Sequence, residues 1–299
     1  MMSKWIVVGV VVLLLLLLVA IVRVPGWLRP QTPELAIVHQ SRRYVPVEDF
    51  PRGAESPDLV GLHEYAILAA EVYGVDPDLT GRAQALGWKR CATCEPLETA
   101  AHGGLAFSTW VKTRPDQPTL AVIAFRGTVA KEVDDWMSNF RWVTRFIPGR
   151  DDQYDQVRHM IPDLLSRIDR EVGGPTELVT TGHSLGGGLA QQAGYGSVRI
   201  ARVYGFDPSP VTGYYDLPAE QRKQNSVGKR IYRIYEHGEV LAYVRLLLKA
   251  FYPLADRDPE IVEIRFNLTK GNFISQHSMA DLARALDQLA QNSRPRPHR

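Results

Sequence analysis

Apolar positions along the chain follow three patterns. The first is an unbroken run, Trp5 to Val22, with no charge and no polar face. Its eighteen residues are near the lower limit for crossing a bilayer core, and the missing polar face argues against a core helix. The run is longer than the apolar part of a secretory signal. It ends Val19-Ala20-Ile21-Val22-Arg23, without a small-residue cleavage site. The expectation is an uncleaved single-pass membrane anchor over residues 5–22, preceded by a short tail, residues 1–4. Lys4 and the amino terminus flank one side, and Arg23 and Arg29 the other, so the positive-inside count does not set the side of the membrane.

The second pattern has a helical period. Leu62, Tyr65, Ala66, Ala69 and Val72 form a stripe on a helix expected over Leu59 to Tyr73, and Gly74 ends it. Val157, Ile161, Leu164, Leu165 and Ile168 do the same for Gln153 to Ile168, as do Leu282, Leu286 and Leu289 for Ser278 to Ala290. Leu185 to Ala193 and Val240 to Phe251 are further helices.

The third pattern is short apolar runs with strand character: Leu105 to Val111, Thr119 to Phe125, Leu178 to Thr181, Ile200 to Phe206, Arg230 to Tyr235 and Ile261 to Leu268. Thr119 to Phe125 is apolar enough to be buried on both faces. From residue 105 onward strands alternate with helices. That order predicts an α/β fold, a mostly parallel sheet with helices on both faces. The domain spans residues 58–291. Residues 23–57, which hold six prolines, read as a stalk, and residues 292–299 as a basic disordered tail. Pro208 to Lys229 is a long polar loop, with room for a helical turn or two over Pro218 to Gln224.

Composition mainly excludes. A net charge of +2 gives no reason to expect nucleic acid as a partner. Cys91 and Cys94 are the two cysteines. One C-x-x-C without a second ligand pair is a poor zinc signal. In an exported domain they would form a local disulfide, in the cytosol two thiols; no chemistry is assigned to them.

The chemistry centres on Thr181-Gly182-His183-Ser184-Leu185-Gly186-Gly187-Gly188. Gly182-x-Ser184-x-Gly186 sits between an expected strand and an expected helix, as in a nucleophile elbow. A serine hydroxyl needs a general base, and the base needs a carboxylate to hold its tautomer and orientation. His277 follows the last strand and precedes the last helix, and it is the candidate base. Three acids follow strands between the two: Asp207 after the strand that succeeds the elbow, and Glu236 and Glu239 after the next. This chemistry needs no metal and no cofactor.

The stretch from Gly182 to Ala190 resembles the elbow of the fungal-type (class three) lipase family. Ala124-Phe125-Arg126-Gly127-Thr128, with Asp135-Trp136 and Asn139 beyond, resembles that family's oxyanion strand. The resemblance implies an α/β-hydrolase-type fold and hydrolysis of carboxylic esters of lipids through an acyl-enzyme. It implies an oxyanion hole from the backbone N–H groups of Thr128 and Leu185. It matches the family's acid segment to Glu239-Val240-Leu241, so the triad would be Ser184, His277 and Glu239, with Asp207 as the alternative acid. Where the family usually carries Gly-x-Pro, this chain has Phe206-Asp207-Pro208. Phe140 to Arg150, with Trp142, Phe146 and Ile147, stands where a lid would follow. The expected partners are a lipid or other ester substrate and the membrane. A thioesterase or amidase on the same triad, or a silent lipid-binding module of the same fold, are the alternatives.

Overall fold

In the computed structural model, strand β5 (Thr119–Phe125) shows how the sheet is built. Leu120, Val122 and Ala124 face one hydrophobic cluster, and Ala121, Ile123 and Phe125 face another. Alternate side chains of a strand point to opposite faces, so a strand that is apolar throughout must be covered on both. The structure describes residues 35–38, 43–46, 61–74, 76–95, 104–127, 153–237, 239, 258–269 and 275–292.

The strands are β1 (Leu35–Val38), β2 (Arg43–Pro46), β3 (Lys89–Arg90), β4 (Phe107–Lys112), β5, β6 (Thr176–His183), β7 (Ile200–Phe206), β8 (Arg230–Glu236) and β9 (Glu260–Phe266). They form one sheet in the order β2-β1-β9-β8-β7-β6-β5-β4-β3. Strands β5 to β9 are parallel neighbours. The remaining pairings, β3 with β4, β4 with β5, β1 with β9 and β1 with β2, are antiparallel.

The helices are α1 (Leu62–Glu71), α2 (Pro77–Ala85), α3 (Gln153–Val172), α4 (Leu185–Gly196), α5 (Ala219–Ser226) and α6 (Met279–Asn292). Successive parallel strands advance in one direction across the sheet. Right-handed crossovers then put their helices on one face. Accordingly α3 and α4 share a cluster with Ala121, Ile123, Phe125 and Val203. The opposite face is covered by α1 and α6, which share a cluster with Val122, Val179, Tyr204 and Val262. Sheet and cover form an α/β-hydrolase-type fold.

Several elements differ from the sequence expectation. Within residues 23–57, read as a stalk, β1 and β2 form a hairpin that extends the sheet beyond β9. Helix α2 was not expected. Its signals are local: Asp76 caps it by accepting from Asp78 N at 3.1 Å, and Pro77 occupies its first turn. Cys91 and Cys94 form a disulfide. Among the described residues no helix is long and apolar enough to cross a membrane. The anchor expected over residues 5–22, the tails 1–4 and 293–299, Thr128, the lid candidate Phe140 to Arg150 and the helix expected over Val240 to Phe251 lie outside the described residues.

Candidate active site

Strand β6 ends at His183, α4 begins at Leu185, and Ser184 alone makes the turn, with φ 56° and ψ −123°. A non-glycine residue held there costs on the order of 1–3 kcal/mol and persists only if its surroundings determine it. They do. Ser184 N donates to Phe206 O at 3.0 Å, and Ser184 O accepts from Ser209 N at 2.9 Å and Gly187 N at 3.0 Å. The flanking glycines are needed for close approach. A Cβ on Gly182 would collide with the backbone of Gly186, and one on Gly186 with Phe125 O. The glycine run thus lets the helix lie directly against β5 and β6, with Ser184 at the carboxyl edge of the sheet.

His277 closes a short 3-10 turn, Ser275–His277, just ahead of α6. Its Nδ1 is 2.8 Å from Glu239 Oε2. Glu239 is fully buried, and His277 nearly so. The ring of His277 lies 4.6 Å, centroid to centroid, from that of His183, the residue before Ser184. The elbow, the histidine and Glu239 therefore converge at one edge of the sheet, although 38 residues separate His277 from Glu239 in sequence.

The other two acids do different work. Asp207 is fully buried with φ 40°. Its Oδ1 accepts from Glu236 N at 2.9 Å, which ties the end of β7 to the end of β8. Its Oδ2 is 4.0 Å from His183 Nε2. Glu236 accepts from Leu268 N at 3.0 Å and Thr269 N at 3.3 Å, and so holds the chain leaving β9 toward His277. Burial pushes the Glu236 carboxyl up to about 7, with the nearby Glu239 adding to the rise and the two backbone N–H groups opposing it.

A raised folded-state pKa means that the folded protein holds this proton more tightly than the unfolded chain. The resulting stability is present at low pH and is lost as pH rises from about 4.5 through about 7. The glutamine of Glu236→Gln keeps a neutral acceptor for Leu268 N. Melting temperatures between pH 5 and 8 should fall with pH in the wild type by several degrees more than in Glu236→Gln. Parallel melting curves would refute the assignment.

His183, Asp207 and His277 place one nitrogen or oxygen each within 4.8 Å of one another. Donors around a tetrahedral metal with bonds of about 2.0–2.1 Å sit roughly 3.4 Å apart, so these three would have to draw together to hold an ion. Both Nδ1 atoms are already engaged, that of His277 by Glu239 and that of His183 by the Tyr73 hydroxyl at 2.9 Å. Tyr73 and His183 carried no role in the sequence reading. The available signal was weak: a tyrosine at the end of an apolar stripe and a histidine inside the elbow motif.

Residues 64–257 match the model of a phospholipase-like family, the Tle-like phospholipase domain. The chain belongs to that family. The Tle-like match covers the elbow, Asp207, Glu236 and Glu239; His277 lies beyond it. No curated protein matches the chain significantly. Among solved structures, M37 lipase is similar over 80% of this chain and 96% of its own, at 12% identity and TM-score 0.43. Est1E from Butyrivibrio proteoclasticus is similar over 69% and 98%, at 10% identity and TM-score 0.34. Acetyl xylan esterase 1 from Thermoanaerobacterium sp. JW/SL YS485 is similar over 77% and 94%, at 14% identity and TM-score 0.32. The family match meets the sequence expectation at the level of a lipase-like hydrolase of lipid esters. The matching family is the Tle-like phospholipases, and the fungal-type (class three) assignment is coarsened accordingly.

Proposed function

We propose that this Tle-like domain is a serine hydrolase of carboxylic esters in lipids, acting through an acyl-enzyme, with Ser184 as nucleophile, His277 as base and Glu239 as the acid that orients it. The observation that carries the reading is the 2.8 Å contact between Glu239 and His277 Nδ1. A carboxylate there keeps the Nδ1 proton in place. It leaves Nε2 as the basic nitrogen and stabilises the imidazolium formed when the serine proton is taken. Burial of both groups strengthens that interaction, because the pair is shielded from water. The strained turn at Ser184 supports the nucleophile role, since it holds the residue clear of both strand and helix.

In this mechanism Ser184 Oγ attacks the ester carbonyl while His277 takes its proton. The N–H of Leu185, at the start of α4, and that of Thr128 receive the oxyanion. His277 then protonates the leaving alcohol. Water, deprotonated by His277, releases the fatty acid and restores Ser184. No metal or cofactor enters. The family description favours a phospholipid ester as substrate. A fluorophosphonate probe should label the wild type at Ser184, and a panel of phospholipid, triglyceride and short soluble esters should rank the phospholipid first on vesicles. An unlabelled, inactive wild type would end this reading.

Residues 5–22 would tether the domain to a membrane that holds its substrate. Because β1 pairs with β9, a soluble version has to begin ahead of Leu35. A chain starting at Glu34 should stay in the soluble fraction and hydrolyse a short ester like the full chain. Its rate on vesicles should fall, since tethering raises the effective substrate concentration. A full-length chain found soluble without detergent would refute the anchor.

A further inference from the structure

Two chain segments far apart in sequence meet at one phenol. Tyr73, just beyond the end of α1, accepts a hydrogen bond from Gly127 N at 3.1 Å. Its oxygen is also 2.9 Å from His183 Nδ1. The two rings meet edge to face, with centroids 5.9 Å apart. A phenol has one proton to give. The Gly127 N–H is directed at one lone pair of the oxygen, and the second contact is with His183 Nδ1. On the other side of the ring, His183 Nε2 lies 4.0 Å from Asp207 Oδ2. Burial raises the Tyr73 phenol above its usual pKa, so it stays a donor over the working range.

Gly127 closes the described chain beyond β5, and His183 directly precedes Ser184 and Leu185. The segments already touch. A Cβ on Gly127 would lie 2.5 Å from His183 O, 2.6 Å from the Tyr73 hydroxyl and 3.2 Å from Ser184 Cβ. We propose that Tyr73 is a positioning residue whose hydroxyl sets the spacing between the end of β5 and the elbow, and thereby the placement of Ser184 and of the Leu185 N–H that receives the oxyanion. The inference rests on the serine hydrolase reading above. Oxyanion donors must lie about 2.7–3.1 Å from the developing charge, and a misplacement of about 1 Å can cost on the order of 10²-fold in rate. A bond that joins both segments through a single oxygen suits that tolerance.

The test is Tyr73→Phe, which keeps the ring and removes the hydroxyl. In full-length protein, kcat on a soluble ester and the rate of fluorophosphonate labelling should both fall by about 10- to 100-fold, while KM stays within about twofold. A purely structural role would lower the melting temperature and leave the folded fraction at wild-type kcat. Should Tyr73→Phe not fold, His183→Asn and His183→Leu carry the test. Asparagine keeps an acceptor near the Nδ1 position and should retain most activity, whereas leucine should show the loss expected of Tyr73→Phe. Where both single variants fold, Tyr73→Phe combined with His183→Leu should lose little more than either alone, since both break one contact. Wild type and Ser184→Ala run beside these variants. An unlabelled wild type overturns the hydrolase reading itself. A labelled wild type, a silent Ser184→Ala and a Tyr73→Phe within twofold of wild type in kcat overturn the role of Tyr73 alone. Equal activity of His183→Asn and His183→Leu would do the same.

Discussion

Ser184→Ala is expected to reduce hydrolysis of a soluble ester by about 10³-fold or more, to the residual rate supplied by the oxyanion hole and substrate binding. Stability should hardly change. The bonds that fix the turn run through the backbone: Ser184 N to Phe206 O, and Ser209 N and Gly187 N to Ser184 O. Alanine retains all of them, and it carries the same backbone strain at φ 56° as serine does. The melting temperature should therefore stay near wild type while turnover collapses. Fluorophosphonate labelling should vanish with it. Labelling that persists at another serine in the variant would refute the nucleophile assignment.

The second large effect concerns the acid. Glu239→Gln is expected to lower kcat by about 10⁴-fold with little change in folding. The glutamine side chain fills nearly the same buried volume. Its amide nitrogen can donate to Nδ1, which favours the tautomer with the proton on Nε2, where a base is needed. Asp207→Asn should stay within about tenfold of wild type. Asparagine retains an oxygen to accept from Glu236 N, and the second oxygen of the carboxylate it replaces lies 4.0 Å from His183 Nε2, while Nδ1 of His277 is held by Glu239. Glu236→Gln should behave likewise, because its carboxyl faces Leu268 N and Thr269 N. The measurement is kcat for the three variants on one soluble ester. A large loss confined to Asp207→Asn, with Glu239→Gln within about tenfold of wild type, would move the acid to the end of β7.

The three acids also show why burial alone is a poor guide to function. Asp207, Glu236 and Glu239 are each fully buried. They differ in what they face: a backbone N–H at the neighbouring strand end, the N–H groups leaving β9, and an imidazole. The first two contacts brace the carboxyl edge of the sheet. They hold β7 to β8 and β8 to the chain leaving β9, so the edge on which Ser184 and His277 stand is cross-linked by carboxylates.

How much of this was legible in the sequence depended on the range of the forces involved. Thr119–Phe125 and Ile200–Phe206 were bounded to the residue, because an apolar run flanked by polar residues ends where burial ends. The inward faces of α3 and α6 followed from helical period for the same reason. The elbow was legible because its requirements are local: a strained residue between a strand and a helix, and glycines where a Cβ would strike backbone. Contacts set by distant partners were not. The β1–β2 hairpin joins the sheet because β9 offers an open edge more than two hundred residues later, and nothing in a proline-containing segment marks that pairing. Tyr73 meets His183 across 110 residues. Chain order narrowed the acids to a few carboxylates after successive strands. Which of them reaches His277 was a matter of angstroms, decided by the stagger of strand ends and by the path of the turn before α6. A carboxylate's role depends on the partner within about 3 Å of it, and local sequence carries no record of that partner.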